Sequence, residues 1–161
     1  FSCESDVSGC TDSTACNYDS NANSDDNSCI YYEDEICGNC SVNLWGECYN
    51  IEETTEISLE YTELNGEIPP EIGQLINLEY LFLHWTYING EIPSEIGNLV
   101  NLEYLSMHNN ELSGVVPDQI CNPDNMNYNP NINQNNLCPP YPDCGDGPIT
   151  SEDRQDTSNC P

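Results

Sequence analysis

Between residues 57 and 128 the apolar positions return on a fixed beat. Residues 57–80 read ISLEYTELNGEIPPEIGQLINLEY and residues 81–104 read LFLHWTYINGEIPSEIGNLVNLEY, with 15 of the 24 positions identical. A third, weaker copy, LSMHNNELSGVVPDQICNPDNMNY, fills 105–128. In the middle copy the frame runs through Leu78, Leu81, Leu83, Thr86, Ile88, Gly90, Ile92 and Pro93. Alternation at Leu81 and Leu83 predicts a short strand with one buried face. Gly90 permits a turn, and Pro93 cannot continue a ladder inside a sheet. The way back, through Ile96, Leu99 and Leu102, reads as a loose helical or 3₁₀ segment. One such unit cannot bury its own apolar edge, whereas stacked neighbours can. The expected architecture is therefore an α/β solenoid with a parallel β-sheet face and 3₁₀ or irregular returns.

These copies resemble the plant-type leucine-rich repeat, whose GxIPxxIGxLxNLxxL pattern recurs at Gly66–Leu81 and Gly90–Leu105 and covers residues 57–117 well. The resemblance implies a short right-handed solenoid. Leu44-Trp45-Gly46-Glu47-Cys48, followed by Ile57 and Leu59, is similar to the cysteine-containing N-terminal cap of that family. One column departs from it. Asn110 fits the position whose amide bonds the turn backbone, but Thr62 and Thr86 stand there in the other two copies. A hydroxyl satisfies fewer groups, so a weaker ladder is expected at those turns.

Solenoid ends must be covered. We expect residues 37–56 to cap one end with Cys37, Cys40 and Cys48, and residues 129–161 to form the other cap and tail with Cys121, Cys138 and Cys144. Ile132 and Leu137 place a degenerate fourth strand there. Eight Asn within 122–136 suit turns, and the tail from Gly145 is expected to be extended, tied down only if Cys160 is paired. Residues 1–36 form a separate acidic module. The run from Gly9 to Cys29 resembles a short cysteine repeat, GCTDxxACNYxxxAxxDDGSC, of secreted marine and related bacterial proteins, with Asn27 where that repeat has Gly; both tolerate a left-handed backbone. Ser2-Cys3-Glu4 looks like the end of a preceding copy.

Charge and cysteine content narrow the partners. The chain carries 29 acids against one base, a formal net charge of −28. That excludes nucleic acid, which requires a basic patch, and argues against an anionic membrane surface. No apolar run is long enough for a spanning helix. The 11 cysteines, Cys3, Cys10, Cys16, Cys29, Cys37, Cys40, Cys48, Cys121, Cys138, Cys144 and Cys160, are disulfide candidates, and they point to an extracellular or cell-surface protein; with Phe at position 1, any signal peptide is expected to be already gone. The odd count leaves one thiol free, bonded to another chain, or paired with a segment outside this sequence. A zinc knuckle at Cys37-Gly38-Asn39-Cys40 lacks a second pair of ligands.

Three candidate sites follow. In an L-x-L strand the x residues face outward, which puts Ser58, Phe82 and Ser106 in one exposed column, Glu60, His84 and His108 in the next, and Tyr61, Trp85 and Asn109 in a third. Glu79–Tyr80 and Glu103–Tyr104 stand at the strand starts. Tyr61, Tyr80, Phe82, His84, Trp85, Tyr104 and His108 make a binding surface that is aromatic and acidic together, unless the rings merely pack on one another. Asp12, Asp19, Asp25 and Asp26 offer oxygen ligands to Ca²⁺ without the spacing of a known loop; solvated turns use the same residues. His84 and His108, one repeat apart, should lie about 5 Å from each other. No catalytic motif is present, so the chain reads as a non-enzyme. The expected function is recognition or adhesion toward a protein or glycan. The alternative is a structural subunit of an extracellular fibre or sheath, joined to copies of itself.

Overall fold

In the computed structural model the described residues are 6–16, 18–29, 33–34, 38–39, 41–121, 129–144, 150–151, 154–158 and 160, with 33–34, 38–39 and 129 described by backbone alone. The disulfide candidates Cys3, Cys37 and Cys40 lie outside them. The chain divides into two compact units, residues 1–52 and 53–161.

The first unit is held by short pairings and cross-links. Strands β1 (Ser8–Gly9) and β2 (Ser24–Asp25) run parallel, and Cys10 is bonded to Cys29. Asn27 adopts φ 60°, the left-handed conformation anticipated for a residue standing in place of Gly. β3 (Glu33–Asp34) pairs antiparallel with β4 (Gly38–Asn39). β5 (Ser41–Leu44) and β6 (Glu47–Asn50) form a hairpin whose two-residue turn, Trp45-Gly46, has φ 53° and 89°, the positive pair of a type I′ turn. Val42, Leu44 and Ile51 are buried. Cys16 and Cys48 each take part in a disulfide as well.

The second unit is a leucine-rich-repeat solenoid built from two four-stranded parallel sheets. The first consists of β7 (Glu56–Ser58), β9 (Tyr80–Phe82), β11 (Tyr104–Ser106) and β13 (Asn129–Asn131). Ile57, Leu81 and Leu105 stack in register. Below the strands, Leu59 donates its amide to Phe82, Leu83 to Ser106 and Met107 to Asn131, so the anticipated apolar column is present. Returns through the 3₁₀ segments η1 (Pro70–Gln74), η2 (Ser94–Asn98) and η3 (Asp118–Ile120) follow the expected path. Gly73 and Gly97 let them approach: a Cβ on Gly73 would stand 2.6 Å from the carbonyl oxygen of Glu95.

Three features differ from the sequence reading. A second sheet, β8 (Asn65–Glu67), β10 (Tyr87–Gly90), β12 (Glu111–Val115) and β14 (Asn136–Cys138), occupies the stretch assigned to a turn. Gly90 ends β10 at φ 74° and pairs with Leu112. The Pro after each of these strands still stops it, as argued. Next, the beat lengthens: Leu105 pairs with Pro130, an offset of 25 rather than 24. Last, the tail, expected to be extended and tied down only if Cys160 is paired, has its described residues held on the final repeat as a lid, with Thr150 bonded to Asn133 and Gln155 to Asn135. Cys121–Cys144 and Cys138–Cys160 are bonded, Thr150 is buried, and Arg154 closes a turn onto Ser151.

Candidate functional site

The outward side chains of the first sheet form four columns whose chemistry changes from repeat to repeat. Glu56, Tyr80 and Tyr104 share one row of the ladder, and Ser58, Phe82, Ser106 and Asn131 another. One turn further come Glu60, His84, His108 and Asn133, then Tyr61, Trp85, Asn109 and Gln134. The rings are in contact. Tyr104 stacks on Tyr80 at 5.5 Å between centroids, and Tyr80 on Phe82 at 6.3 Å. Phe82 meets His84 edge-on, as does Tyr61, and His84 stacks on His108 at 4.7 Å. Six of the seven anticipated surface residues are thus brought together, with Phe82 half-buried among its neighbours. Trp85 stands apart: it is 53% exposed, and no ring among the described residues packs on it.

The last column has an unusual backbone. Tyr61, Trp85, Asn109 and Gln134 all have φ between 55° and 57°. For an L-residue other than Asn or Gly this region costs about 1–2 kcal/mol, so two aromatic side chains are held where an Asn would be cheaper. The ladder nevertheless runs through them, since Tyr61 donates to the carbonyl of His84, Trp85 to His108 and Asn109 to Asn133.

Directly beneath lies the column that the sequence marks as irregular. Asn110 donates from Nδ2 to the carbonyls of Leu83 and Met107 and accepts from the amide of Thr86. Asn135 does the same one repeat on, donating to Met107 and Ile132 and accepting from Leu112. Gln155 of the tail continues the series by accepting from the amide of Asn135 and donating to Ile132. Thr62 reaches only the carbonyl of Leu59. Asn135 and Gln155 were hidden in the sequence by the one-residue slip and by the tail's lack of any repeat pattern.

Charge is arranged around the rings. The Ser58 hydroxyl donates to Glu60 at 2.7 Å and, with the local backbone amide, holds that carboxyl below its ordinary value. The charge of Glu103, which accepts from the Tyr80 hydroxyl, pushes the phenol above 10.0. Burial, and then His84, draws His108 below 6.5; Asn109 donates to its Nδ1, which requires a neutral ring. The Nδ1 of His84 is buried without a partner among the described residues.

One further residue lies beside this surface. Tyr87, at the start of β10, is 59% exposed and shares a groove with Trp85, Asn109, Glu111 and Gln134. Its position just before the buried Ile88, in alternation with Thr86, was the available signal. Asp12, Asp19, Asp25 and Asp26 each accept the backbone amide two residues on, as in Asx turns. Among the described residues no three of His, Cys, Asp and Glu converge as metal ligands, and no helix is long and apolar enough to cross a membrane.

Residues 77–99 and 101–123 match the family model of the leucine rich repeat. No curated protein matches the sequence. Among solved structures, the chain is similar to the plant peptide hormone receptor RGFR1 in complex with RGF2, with 35% identity over 55% of this chain and 14% of the receptor, TM-score 0.50. It is similar also to PEPR1 in complex with AtPEP1, with 29% identity over 55% of this chain and 12% of that one, TM-score 0.51. The BIR2 ectodomain from Arabidopsis thaliana shares the fold at 24% identity, covering 74% of this chain and 73% of that one, TM-score 0.53. The chain therefore spans only 12–14% of the two peptide-receptor chains, and what it shares with them is the repeat.

Proposed function

We propose that this chain is an extracellular, non-enzymatic recognition module that takes a protein or peptide ligand on the outward face of the first sheet. One observation carries the reading: Leu81, Leu83 and Leu105 are at most 1% exposed, while Tyr61, Trp85 and Tyr104 on the opposite side of the same strands and turns are 72%, 53% and 43% exposed. Isolated apolar residues are ordinary on a surface, but clustered rings mark contact sites. Aromatic anchors supply much of the binding energy at protein interfaces. Likeness to receptors solved with bound peptides supports a ligand of that kind, and the disulfides suit an oxidising compartment.

The test is selection of a displayed random-peptide library on the intact chain, with each selected peptide then measured against a Tyr61→Ala/Trp85→Ala variant. Selected peptides should bind the variant at least roughly ten-fold more weakly, with its melting temperature and disulfides preserved. Peptides that bind both proteins equally, or a selection that enriches nothing, would overturn the reading.

A further inference from the structure

We propose that the groove between Trp85, Tyr87 and Glu111 holds an arginine side chain of the protein ligand. This rests on the recognition reading above and names the chemistry taken at one place on the rim of that face. The groove, about 390 Å³, is lined by Trp85, Thr86, Tyr87, Asn109, Asn110, Glu111 and Gln134. That volume lies at the small end of ligand sites and suits one or two side chains. Its floor is rigid: Thr86 is 5% exposed and bonded to Asn110, whose amide is committed to Leu83 and Met107. Its walls are available. Trp85 and Tyr87 are 53% and 59% exposed, and Glu111 is exposed on β12 directly across the ladder from β10.

Two rings beside a carboxylate and two side-chain amides match a guanidinium group. The ring faces carry negative potential and attract a cation within about 6 Å of their centroids. The planar guanidinium can stack on such a face while its N–H groups reach Glu111 and the amide oxygens of Asn109 and Gln134; an ammonium group is more strongly hydrated and cannot stack. The chain itself has a single Lys or Arg to offer, Arg154, among 29 acids, and Arg154 lines the adjoining groove, which shares Asn109 and Gln134 with this one but not Trp85, Tyr87 or Glu111. The complementary cation therefore comes from the partner. At net charge −28 the whole surface also steers a basic segment inward.

The probe is a capped hexapeptide of alternating glycine and arginine, titrated by calorimetry and NMR into the intact chain, beside the same peptide with citrulline for arginine. Citrulline keeps the shape and removes the charge. We expect the citrulline peptide to bind roughly ten-fold more weakly. Trp85→Ala and Glu111→Gln should each weaken the arginine peptide about five-fold, while Glu71→Gln, which removes the same charge from η1, leaves it unchanged. Equal binding of the two peptides would overturn the proposal, as would insensitivity to Trp85→Ala. Equal losses with Glu71→Gln and Glu111→Gln would reduce it to diffuse attraction and overturn it too. The library result separates the two levels. Selected peptides that need Tyr61 and Trp85 but contain no arginine and ignore Glu111 would leave the recognition reading standing and remove this one.

Discussion

The first two repeats of the solenoid and the last two use one backbone for opposite purposes. Tyr61, Trp85, Asn109 and Gln134 share a left-handed conformation within 2° of one another, yet the first pair are rings and the second pair amides. Asn is at ease there because its short side chain bonds locally; Tyr, Trp and Gln are not. Beneath them the order reverses. The aromatic repeats have Thr62 and Thr86 in the turn column, and the amide repeats have Asn110 and Asn135, with far fuller hydrogen bonding. Hydrogen bonding in the turn column is thus concentrated toward the C-terminal repeats, and exposed rings on a left-handed backbone toward the N-terminal ones. Backbone strain is typically retained where a surface has work to do.

The contrast can be broken most forcefully at the lid. Replacing both Cys138 and Cys160 by Ser opens a loop of sequence separation 22, and the chain-entropy relation makes that worth about 3 kcal/mol. Hydrogen exchange should show protection lost first around Asn133 and Asn135, which the tail holds through Thr150 and Gln155; uniform loss would show that the lid does not serve the amide repeats in particular. Next in size is the turn column. Asn110→Ala leaves the Thr86 amide without its acceptor and takes one of two donors from each of the Leu83 and Met107 carbonyls, and should cost about 2 kcal/mol or more in urea unfolding, against about 1 kcal/mol or less for Thr62→Ala. Equal costs would erase the difference between the two halves.

Trp85→Asn should do the reverse of most substitutions and stabilise the fold by about 1 kcal/mol, because a tolerant residue replaces a strained one that makes no ring contact. Peptide binding should fall in the same variant. A drop in melting temperature would show that Trp85 contributes packing that offsets its backbone cost.

The smallest effect is expected from His108. Its folded-state proton affinity is reduced by burial and by His84, so below its ordinary value of 6.5 the unfolded chain binds more protons than the folded one. Stability contributed by the neutral ring is full above that pH and is lost as the pH falls through the depressed value. His108→Asn should therefore remove part of the decline seen between pH 6.5 and the onset of carboxylate protonation. Identical pH curves for variant and parent would refute the assignment.

Much of this was legible in the chain itself. The apolar spacing located the first sheet, the 3₁₀ returns and the outward columns, because a strand exposes alternate residues and a stacked repeat places equivalent residues one above another. The approach of His84 to His108 followed from the same reasoning. Tyr87 was passed over because it lies beyond the L-x-L strand, in a stretch whose Gly and Pro suggested a turn. Nothing local distinguishes a short strand followed by Pro from a turn when its pairing partner is a neighbouring repeat.

Period and alternation are properties of the sequence, and they determined that strands would stack and which side would carry leucine. The second sheet, the left-handed turn column, the one-residue slip after Leu105 and the closure of the tail by Gln155 were decided in three dimensions. Each depends on which backbone amides and carbonyls an adjacent repeat leaves open, and those groups are supplied about two dozen residues away.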